Sequence, residues 1–319
     1  MVPDAAFIDR FRADLDALSA PGERIGIAVS GGPDSLALLL LAAAARPGQV
    51  EAATVDHSLR PESRSETEFV ASVCANLGVP HAILVARWDE RPASAIQERA
   101  RHARYELLGE WIGDRRLDAL LTAHHADDQA ETMVMRLTRG SGLRGLAGMR
   151  GKSIIPAGNR PLLRPLLGWR RSELESVCAA AGIQPISDPS NADEQFERVR
   201  TRQALATTSW LDPAALASSA GHLASADEAL DWVAESLALA RVTDDAEALR
   251  IDAAGLPAEL QRRLLLHAFA RFHAPEPRGS DLSRAMGTLQ AGGTATLSGL
   301  KLESLEYWRV SKAPARRKA

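Results

Sequence analysis

The chain has 319 residues, of which 45% are hydrophobic and 25% are charged. At about 150 residues per domain, this length predicts two domains. The sequence contains no run of about 18 uncharged apolar residues, which argues against a membrane span. The apolar stretch at residues 36–45 is too short and too far along the chain for a signal peptide. Two cysteines are too few for a disulfide framework or a four-cysteine metal site. We expect a cytoplasmic enzyme.

Basic and acidic residues are segregated along the chain, although the formal net charge is only −3. Residues 132–172 contain nine Lys or Arg and no Asp or Glu. Residues 203–250 contain two basic and eight acidic residues, and residues 261–319 contain eleven basic and four acidic residues. Local positive surfaces of this kind attract polyanions. Because 34 of the 38 basic residues are Arg, genome composition is an equally good explanation, and charge alone leaves nucleic-acid binding open.

Strand-like and helical segments alternate in the first half of the chain. Apolar, β-rich runs occupy residues 25–29, 50–55, 81–86 and 117–122, and helical patterns follow at residues 36–45, 66–77, 95–111 and from about residue 127. Such alternation predicts βαβ units and a parallel sheet covered by helices on both faces. Ligands of these sheets bind beyond the carboxyl ends of the strands, so the residues just after each strand are the candidates for chemistry.

The pattern changes in the second half of the chain. Residues 140–165, rich in Gly, Arg and Pro, are typical of a long loop or mobile connection, and residues 171–181 of a helix. Beyond about residue 205, apolar residues recur at helical spacing, and the tail from residue 292 alternates as in a strand hairpin. The predicted fold is α/β: a doubly wound, mostly parallel sheet in residues 1–205, then a smaller, mostly helical C-terminal domain in residues 206–319.

The segment Ser30-Gly31-Gly32-Pro33-Asp34-Ser35 connects the first predicted strand to its helix. Two glycines allow a tight turn and close approach to a phosphate, two serines add hydroxyl donors, and the helix N-terminus favours an anion. An acid fits such a loop if Asp34 holds a cation that bridges phosphates, which predicts Mg²⁺. A Walker-type loop is not predicted at Gly151-Lys152-Ser153, because Leu146 stands where that motif requires glycine.

A second group of polar residues follows the fourth predicted strand. If a helix begins near Asp127, the side chains of Asp128 and Glu131 share one face. Carboxylates at this position can hold a cationic amine. His124 can pair with a reacting phosphoryl oxygen or transfer a proton. Helix capping by the two aspartates and packing of His125 are simpler explanations. Capping remains an alternative role for Asp127, but it does not explain why the whole group of polar residues occurs together.

These motifs and several others, in the same order and spacing, carry a family resemblance. They are Ser30–Ser35; Asp56-His57-Ser58-Leu59-Arg60 with Ser63; Arg101 and Arg104-Tyr105; the run from Thr122 to Thr132; residues 140–146; Arg164-Pro165-Leu166-Leu167 with Arg171; and Asp188-Pro189-Ser190-Asn191 before Arg198 and Arg202. The first is similar to the PP-loop of N-type ATP pyrophosphatases, and residues 24–202 as a whole resemble tRNA(Ile)-lysidine synthetases. Asp56, Ser58 and Val199 depart from the family pattern, which commonly has Asn, Gly and Asn there.

The resemblance implies a Rossmann-like PP-loop fold and a two-step ligation. The C2 carbonyl oxygen of the wobble cytidine of tRNA(Ile), with a CAU anticodon, attacks the α-phosphate of ATP and releases pyrophosphate. The amine of free L-lysine then attacks C2, which releases AMP and forms lysidine. The predicted loop is consistent with this chemistry, because Mg²⁺ and backbone donors neutralise charge on the phosphates during transfer.

The resemblance also implies roles for individual residues. The expected catalytic residues are Asp34, His124 and Asp128, with Mg²⁺ on Asp34 and lysine on Asp128 and Glu131. The expected ATP contacts are Ser30, Gly31, Gly32, Pro33, Asp34, Ser35 and Asp56. The expected tRNA or phosphate contacts are Arg104, Arg139, Arg144, Arg164, Arg171, Arg198 and Arg202. The C-terminal domain is expected to contact tRNA as well.

Three other functions compete with this interpretation. A tRNA 2-thiolation enzyme would share the PP-loop but needs a Cys-x-x-Cys iron–sulfur site, which Cys74 and Cys178 cannot form. A small-molecule amide-forming ligase would use the same ATP chemistry but gives no reason for the basic residues of segment 140–165, the connector. A non-catalytic nucleotide-binding or RNA-binding module is opposed by the intact loop and the acidic residues near His124. No membrane partner is expected, and a homodimer is left open.

Overall fold

The computed structural model describes residues 2–57, 63–88, 96–156, 158–186 and 193–314, so the motif residues 58–60 and 188–191 lie outside it. The chain divides into two compact units, Met1–Ala224 and Ser225–Ala319. The division falls within a long helix, Pro213–Arg241, and not at residues 205–206. In the part of the chain that is described, no helix is both long and apolar enough to cross a membrane.

The first unit combines a sheet with helices. Its strands are β1 (Ile25–Ala28), β2 (Val50–Asp56), β3 (His81–Val85), β4 (Ala119–Leu121), β5 (Lys152–Ile154) and β6 (Pro161–Leu163). Its helices are α1 (Ala5–Asp16), α2 (Pro33–Ala45), α3 (Ser63–Leu77), α4 (Ile96–Asp114), α5 (Ala126–Leu137), α6 (Leu143–Leu146), α7 (Arg171–Ala180) and α8 (Glu197–Thr207). The long helix α9 (Pro213–Arg241) continues into the second unit.

The strand order is β3-β2-β1-β4-β6-β5 among the described residues, and all neighbours run parallel except β5 and β6. Strand β1 lies between β2, at Ile27↔Ala52, and β4, at Ile27↔Leu121. From β1 the chain first builds toward β3 on one side and later toward β6 on the other. This topology confirms the predicted doubly wound sheet, whose crevice lies beyond the carboxyl ends of β1 and β4, where the order reverses.

Helices cover both faces of this sheet. Leu121 of β4 joins a core with α2, whose residues Leu36–Ala42 are at most 1% exposed, while its neighbour Leu120 joins a second core with Ile112 of α4. A helix buried all round explains the uninterrupted apolar run in the sequence. In β1, Gly26 lets α4 approach closely, since a Cβ there would lie 2.4 Å from Ile112 Cδ1.

Residues 140–165 contain regular structure in place of the predicted loop or mobile connection. Helix α6 is followed by β5 and β6, and β6 extends the sheet beside β4 at Leu121↔Leu163. In α5, the Gln129 amide donates to the carbonyl of Met149 (2.9 Å) and accepts from its backbone N–H (2.7 Å). The partners that order this segment come from other parts of the chain, so its own composition does not reveal them.

The second unit contains α10 (Ala258–Arg271) and α11 (Gly279–Gln290) with strands β7 (Val242–Asp245), β8 (Ala248–Ile251), β9 (Thr294–Leu297), β10 (Leu300–Ser304) and β11 (Trp308–Lys312). The predicted helical spacing is confirmed in α10, where Leu264 and Ala268 are buried. An antiparallel sheet of order β7-β8-β11-β10-β9 accompanies the helices. The expected hairpin turn lies at Ser298 and Gly299, both at positive φ.

Candidate active site

The two groups of polar residues predicted from the sequence come together at one edge of the parallel sheet. The loop Ser30–Ser35 follows β1, Asp56 ends β2, and His124 and His125 follow β4. These strands are hydrogen-bonded neighbours that run in the same direction, so their carboxyl ends share an edge. The two groups, separated by about 90 positions in the chain, therefore face a common crevice.

The two serines of the loop bond to each other and to the loop backbone. The Ser35 hydroxyl donates to the carbonyl of Gly32 (3.0 Å) and accepts from the backbone N–H of Ser30 (3.1 Å). The Ser30 hydroxyl is 3.1 Å from it and donates, because the single Ser35 proton is already used. The serines thus close the turn, and the amides at the start of α2, which have no intrahelical acceptor, are the donors left for an anion.

Gly31 is required by both its conformation and its neighbour. Its φ of +86° lies in the left-handed region, and a Cβ there would stand 2.6 Å from Ile186 Cδ1. The backbone N–H of Ile186 also donates to the Gly31 carbonyl (2.9 Å). The stretch that leads into residues 187–192 is therefore fastened to the loop, which the sequence pattern did not reveal.

Asp34 lies in the first turn of α2 and uses only one of its carboxylate oxygens. Its Oδ2 is 3.5 Å from His125 Nε2, whereas Oδ1 is buried and has no hydrogen-bond partner among the described residues. A buried oxygen of this kind is costly unless a cation or a donor binds it. No group of three or more His, Cys, Asp or Glu in the described residues could enclose a metal. Asp34 together with phosphate oxygens suits Mg²⁺, which is usually held by one or two carboxylates and substrate phosphates.

His125 is a site residue that the sequence analysis missed. Its buried imidazole lies 3.5 Å from each of three carboxylates: Nε2 faces Asp34 and Asp128, and Nδ1 faces Asp127. Burial opposes a charge, but the contacts with Asp127 and Asp34 and the charge of Asp128 raise the pKa of His125 to about 10. The tandem histidines were the available signal, but sequence does not tell which of two adjacent side chains faces the site.

Asp127 caps a neighbouring helix and not its own. Its Oδ2 accepts the backbone N–H of Arg171 at the start of α7 (2.8 Å), and the Arg170 guanidinium contacts both oxygens at 3.2–3.3 Å. Burial opposes the charged form, but His125 and the Arg171 N–H hold the pKa of Asp127 well below its usual range. At the start of α5 it is Asp128 that accepts, from the backbone N–H of His125 (3.1 Å).

His124 is half-buried and neutral. Its Nδ1 is 3.0 Å from the Thr122 hydroxyl. Burial lowers the pKa of His124 to about 4; the charge of Asp128 opposes this shift, and the charges of Arg164 and Arg198 add to it. A neutral imidazole with one nitrogen occupied by Thr122 has its other nitrogen, Nε2, free for a ligand.

The two carboxylates expected to bind lysine are already paired with arginines of α8. Arg198 contacts Asp128 Oδ1 through Nη2 (2.8 Å) and Glu131 Oε2 through Nε (2.7 Å), and Arg202 Nε contacts Glu131 Oε1 (2.6 Å). The Glu131 side chain is 2% exposed and that of Asp128 is 14% exposed. Burial opposes the charge of Asp128, but His125 and Arg198 keep its pKa low.

The remaining arginines differ in their surroundings. Arg164 is buried, and its Nη1 donates to the carbonyl of Arg150 (2.8 Å) and to the Ser153 hydroxyl (3.0 Å). Arg139 pairs with Glu197, and Arg171 pairs with Glu175 (3.1 Å). Arg104 and Arg144 are exposed.

The two cysteines are buried in different helices, Cys74 in α3 and Cys178 in α7. Burial raises the pKa of the Cys74 thiol to about 12 and that of Cys178 to about 11. The Cys178 Sγ donates to the carbonyl of Pro33 (3.3 Å) at the start of α2. These thiols are unreactive packing groups, and two cannot hold an iron–sulfur cluster.

Known proteins are similar to this chain over almost its whole length. A family described as the PP-loop domain matches residues 6–209. A tRNA(Ile)-lysidine synthase of Novosphingobium aromaticivorans is 50% identical over 310 residues, which cover 97% of this chain and 94% of the relative. The chain belongs to the tRNA(Ile)-lysidine synthase family. The enzyme of that name from Zymomonas mobilis is 44% identical and covers 95% of this chain and 92% of its own length. The predicted family membership is confirmed.

A solved structure outside this family supports the fold. The U34-tRNA thiolase NcsA from Methanococcus maripaludis, described with its [4Fe-4S] cluster, superposes with a TM-score of 0.57 at 17% identity. The match covers 70% of this chain and 77% of the thiolase. At this identity the likeness concerns the fold alone.

Proposed function

We propose that this chain ligates free L-lysine to C2 of the wobble cytidine of tRNA(Ile) with a CAU anticodon, with cleavage of ATP to AMP and pyrophosphate. The observation that carries the proposal is the identity of 44–50%, over 95–97% of this chain, to relatives named tRNA(Ile)-lysidine synthase. The loop Ser30–Ser35 and the unpartnered oxygen of Asp34 supply the geometry for ATP. The alternative of a small-molecule ligase has no comparable observation in its favour.

The first step forms a bond between the cytidine C2 oxygen and the α-phosphorus of ATP and breaks the bond to pyrophosphate. The turn at Gly31 and Gly32 and the N-terminus of α2 direct backbone amides at the phosphates, which stabilises charge that grows on their oxygens. Mg²⁺ held by Asp34 and phosphate oxygens would add positive charge against the departing pyrophosphate. In this scheme Asp56, at the end of β2, contacts the nucleoside.

His124 acts as a hydrogen-bond donor in this scheme. In this scheme the Thr122 hydroxyl, 3.0 Å from Nδ1, is the donor, and the neutral imidazole carries its proton on Nε2. That N–H donates to a phosphoryl oxygen as negative charge develops during transfer. The low pKa of His124 favours this role. A neutral imidazole forms no ion pair with a neighbouring carboxylate, so its Nε2–H stays available to the phosphoryl oxygen.

The second step forms the bond between the lysine amine and C2 and breaks the bond from the C2 oxygen to carbon, so that AMP leaves. Asp128 and Glu131 receive the lysine ammonium group. Because both carboxylates are paired with Arg198 or Arg202, lysine binding exchanges a guanidinium for an ammonium group. Asp128, the more exposed of the two, makes the first contact, and Glu131 follows if Arg198 moves.

The RNA contacts fall on the remaining arginines and on the C-terminal part of the chain. Arg104 and Arg144 are exposed and bind phosphates directly. Arg139 and Arg171 each exchange an acidic partner for a phosphate. Arg164 is buried against the connector, so its contribution to RNA binding is indirect. Residues 1–205 carry the chemistry and residues 206–319 contact tRNA. A cytoplasmic location and a homodimer stay predictions.

A pyrophosphate-release assay tests the proposed function. The enzyme is incubated with ATP, Mg²⁺, lysine and a tRNA(Ile) transcript with a CAU anticodon, and each component is omitted in turn. Pyrophosphate release that requires the tRNA, and lysidine formation that requires all components, are expected. A transcript in which the wobble cytidine is replaced by uridine is the control. Pyrophosphate release without RNA, or equal release with the uridine transcript, would overturn the proposal.

A further inference from the structure

Trp210 differs from the other tryptophans of the first unit. It is 80% exposed, and its indole makes no hydrogen bond or ring contact with any described residue. Trp169, in contrast, is fully buried, and its Nε1 donates to Asp14 (2.8 Å). Trp88 is partly buried, and its Nε1 donates to the carbonyl of His57 (2.8 Å). A large aromatic ring left in water in this way is typical of a surface that binds a partner.

The turn that carries Trp210 is ordered by its own hydrogen bonds. The backbone N–H of Leu211 donates to the carbonyl of Thr208 (3.1 Å), so Trp210 is the third residue of a four-residue turn between α8 and α9. The Thr208 hydroxyl donates to the carbonyl of Ala204 (2.7 Å), which ties the turn to the end of α8. The exposure of the indole is therefore a property of a defined turn.

Polar contacts place this turn beside the candidate active site. Asp212, two residues after Trp210, accepts from Arg170 Nη1 (3.2 Å). The same guanidinium contacts both carboxylate oxygens of Asp127 at 3.2–3.3 Å. Asp127 directly precedes Asp128, the carboxylate that we propose receives lysine. One guanidinium thus connects the turn of Trp210 to the start of α5, at the rim of the crevice.

The charges near the turn favour RNA as the partner of the indole. Arg170 and Arg171, at the start of α7, are partly exposed. Proteins bind single-stranded RNA with aromatic rings that stack on bases and with basic side chains that contact the phosphates. Trp232 has the opposite surroundings. It is 70% exposed on α9, between the exposed Glu228 and Glu235, whose negative charges repel a phosphate backbone.

We propose that Trp210 stacks on a base of the anticodon loop other than the reacting cytidine. A cytidine that enters the crevice leaves the stack of its loop, and the bases around it lose a stacking partner. The exposed indole at the rim replaces that partner. Trp210 forms no bond to the reacting atoms, so it is a binding residue and not a catalytic one. This inference rests on the proposed function, because it takes the anticodon loop as the ligand.

Two substitutions separate stacking from the mere presence of a side chain. Trp210→Ala removes the ring, and Trp210→Phe keeps a smaller one. Trp232→Ala is the matched control, since it removes a tryptophan of similar exposure from acidic surroundings. We measure binding of the full chain to a labelled anticodon stem-loop with a CAU anticodon by fluorescence anisotropy at several salt concentrations, together with the melting temperature and the elution volume in size-exclusion chromatography.

We expect the dissociation constant to rise about fivefold or more in Trp210→Ala, because one stacked base is lost, and by less than about threefold in Trp210→Phe. The salt dependence should stay that of the wild type, since stacking releases no counterions. The melting temperature of both variants and the binding by Trp232→Ala should not change. Unchanged binding by Trp210→Ala, or an equal loss in Trp232→Ala, would overturn the proposal. A changed elution volume with unchanged RNA binding would assign the ring to a protein contact and overturn it too.

Stem-loops that lack one loop base at a time identify the stacked base. At one position, removal of the base should weaken binding by the wild type and have no further effect in Trp210→Ala, because both changes delete the same contact. Losses that add at every position of the loop would show that Trp210 contacts no base.

The binding measurement keeps this proposal distinct from the proposed function. A wild-type protein that binds the stem-loop but forms no lysidine contradicts the proposed function, and the variants still decide the role of Trp210. A wild-type protein that forms lysidine, combined with unchanged binding by Trp210→Ala, contradicts the role of Trp210 alone. A wild-type protein that neither binds the stem-loop nor forms lysidine contradicts both.

Discussion

Asp34 and Asp128 are acids of the same crevice with different use of their oxygens. Both oxygens of Asp128 are engaged, Oδ1 by Arg198 and Oδ2 by the backbone N–H of His125. Asp34 has one oxygen near the His125 ring and one buried oxygen without a partner among the described residues. The free, buried oxygen of Asp34 can bind a cation directly. Asp128 can bind one only by exchanging a partner that it already has.

Replacing Asp34 by asparagine removes the charge and keeps a side chain of the same shape. We expect pyrophosphate release to fall at least 100-fold, about 3 kcal/mol of transition-state stabilisation, because the phosphates lose a cation contact. The melting temperature should change little. Asp9→Asn, at an exposed position in α1 that pairs with Arg12, is the control. Release within a few-fold of the wild type would contradict the assignment of Mg²⁺ to Asp34.

Replacing Asp128 by asparagine tests the proposed lysine contact. The KM for lysine should rise roughly tenfold or more, while the KM for ATP should change by less than about threefold, because a charge-assisted contact of about 1.5–3 kcal/mol is lost to one substrate only. Steady-state lysidine formation with each substrate varied provides both values. Glu68→Gln, on the surface of α3, is the control. Equal changes in both KM values would count against a lysine-specific role.

His124 makes stability depend on pH in a defined window. Its pKa is about 4 in the folded protein, against 6.5 when unperturbed, so between these values the unfolded chain binds a proton that the folded protein does not. Stability should therefore fall as pH is lowered from 6.5 to 4, by roughly 2 kcal/mol from this residue. Urea unfolding across this range should show a shallower decline in His124→Asn. A decline identical to that of the wild type would contradict a depressed pKa.

At the scale of elements, polar side chains of α5 bind neighbouring elements around the crevice. Asp127 of α5 caps α7, and Glu131 of α5 receives Arg198 and Arg202 of α8. Gln129, also in α5, holds the connector through Met149. One helix of 12 residues thus organises three neighbours, because its buried polar groups must find partners and those partners lie on other elements.

Gly148 and Gly140 offer a matched pair for the connector. Both adopt positive φ, but a Cβ at Gly148 would lie 2.5 Å from Gln129 Oε1, whereas nothing lies within 4 Å of one at Gly140. Alanine at either position costs about 1 kcal/mol of backbone strain. At Gly148 the displaced amide also loses its bonds to Met149, which adds about 1–3 kcal/mol. Urea unfolding should show this difference, and equal costs would contradict the role of Gln129.

At the scale of the whole molecule, the basic residues of the segregated stretches fall into two groups: some order the connector, and others lie at the surface. Within the basic stretch 132–172, Arg164 is buried and Arg136 donates to the carbonyl of Gly145, so both serve the connector. Arg144 is exposed, and Arg139 and Arg171 lie in surface ion pairs. Only part of the positive charge counted in the sequence is therefore offered to an RNA backbone.

Binding of tRNA should weaken steeply with salt. With about four phosphate contacts, the logarithm of the association constant should fall with a slope of roughly −3 against the logarithm of salt concentration. Fluorescence anisotropy between about 50 and 300 mM salt measures this slope. Arg144→Ala should reduce the slope by about one, whereas Arg164→Ala should lower stability. A flat response in the wild type would remove the electrostatic contribution.

The sequence by itself determined the alternation of strands and helices, the glycine-rich loop to which we assign phosphate binding, and the family. These features are local: periodicity sets an element, and a glycine-rich turn between strand and helix sets an anion site. The loop Ser30–Ser35 and the group around Asp128 are both recognisable from residue types and their spacing alone. Their position at one edge followed from the parallel arrangement of the strands that precede them.

Only the tertiary structure decided how the charges pair. The position of the buried His125 ring within 3.5 Å of Asp34 and Asp128, the capping of α7 by Asp127 and the pairing of Arg198 with Glu131 depend on contacts across up to about 90 positions of the chain. A histidine or an arginine looks the same in sequence whether it faces water, a carboxylate or a carbonyl. Burial removes water as a partner, and the partner that replaces it is chosen by the packing of distant elements.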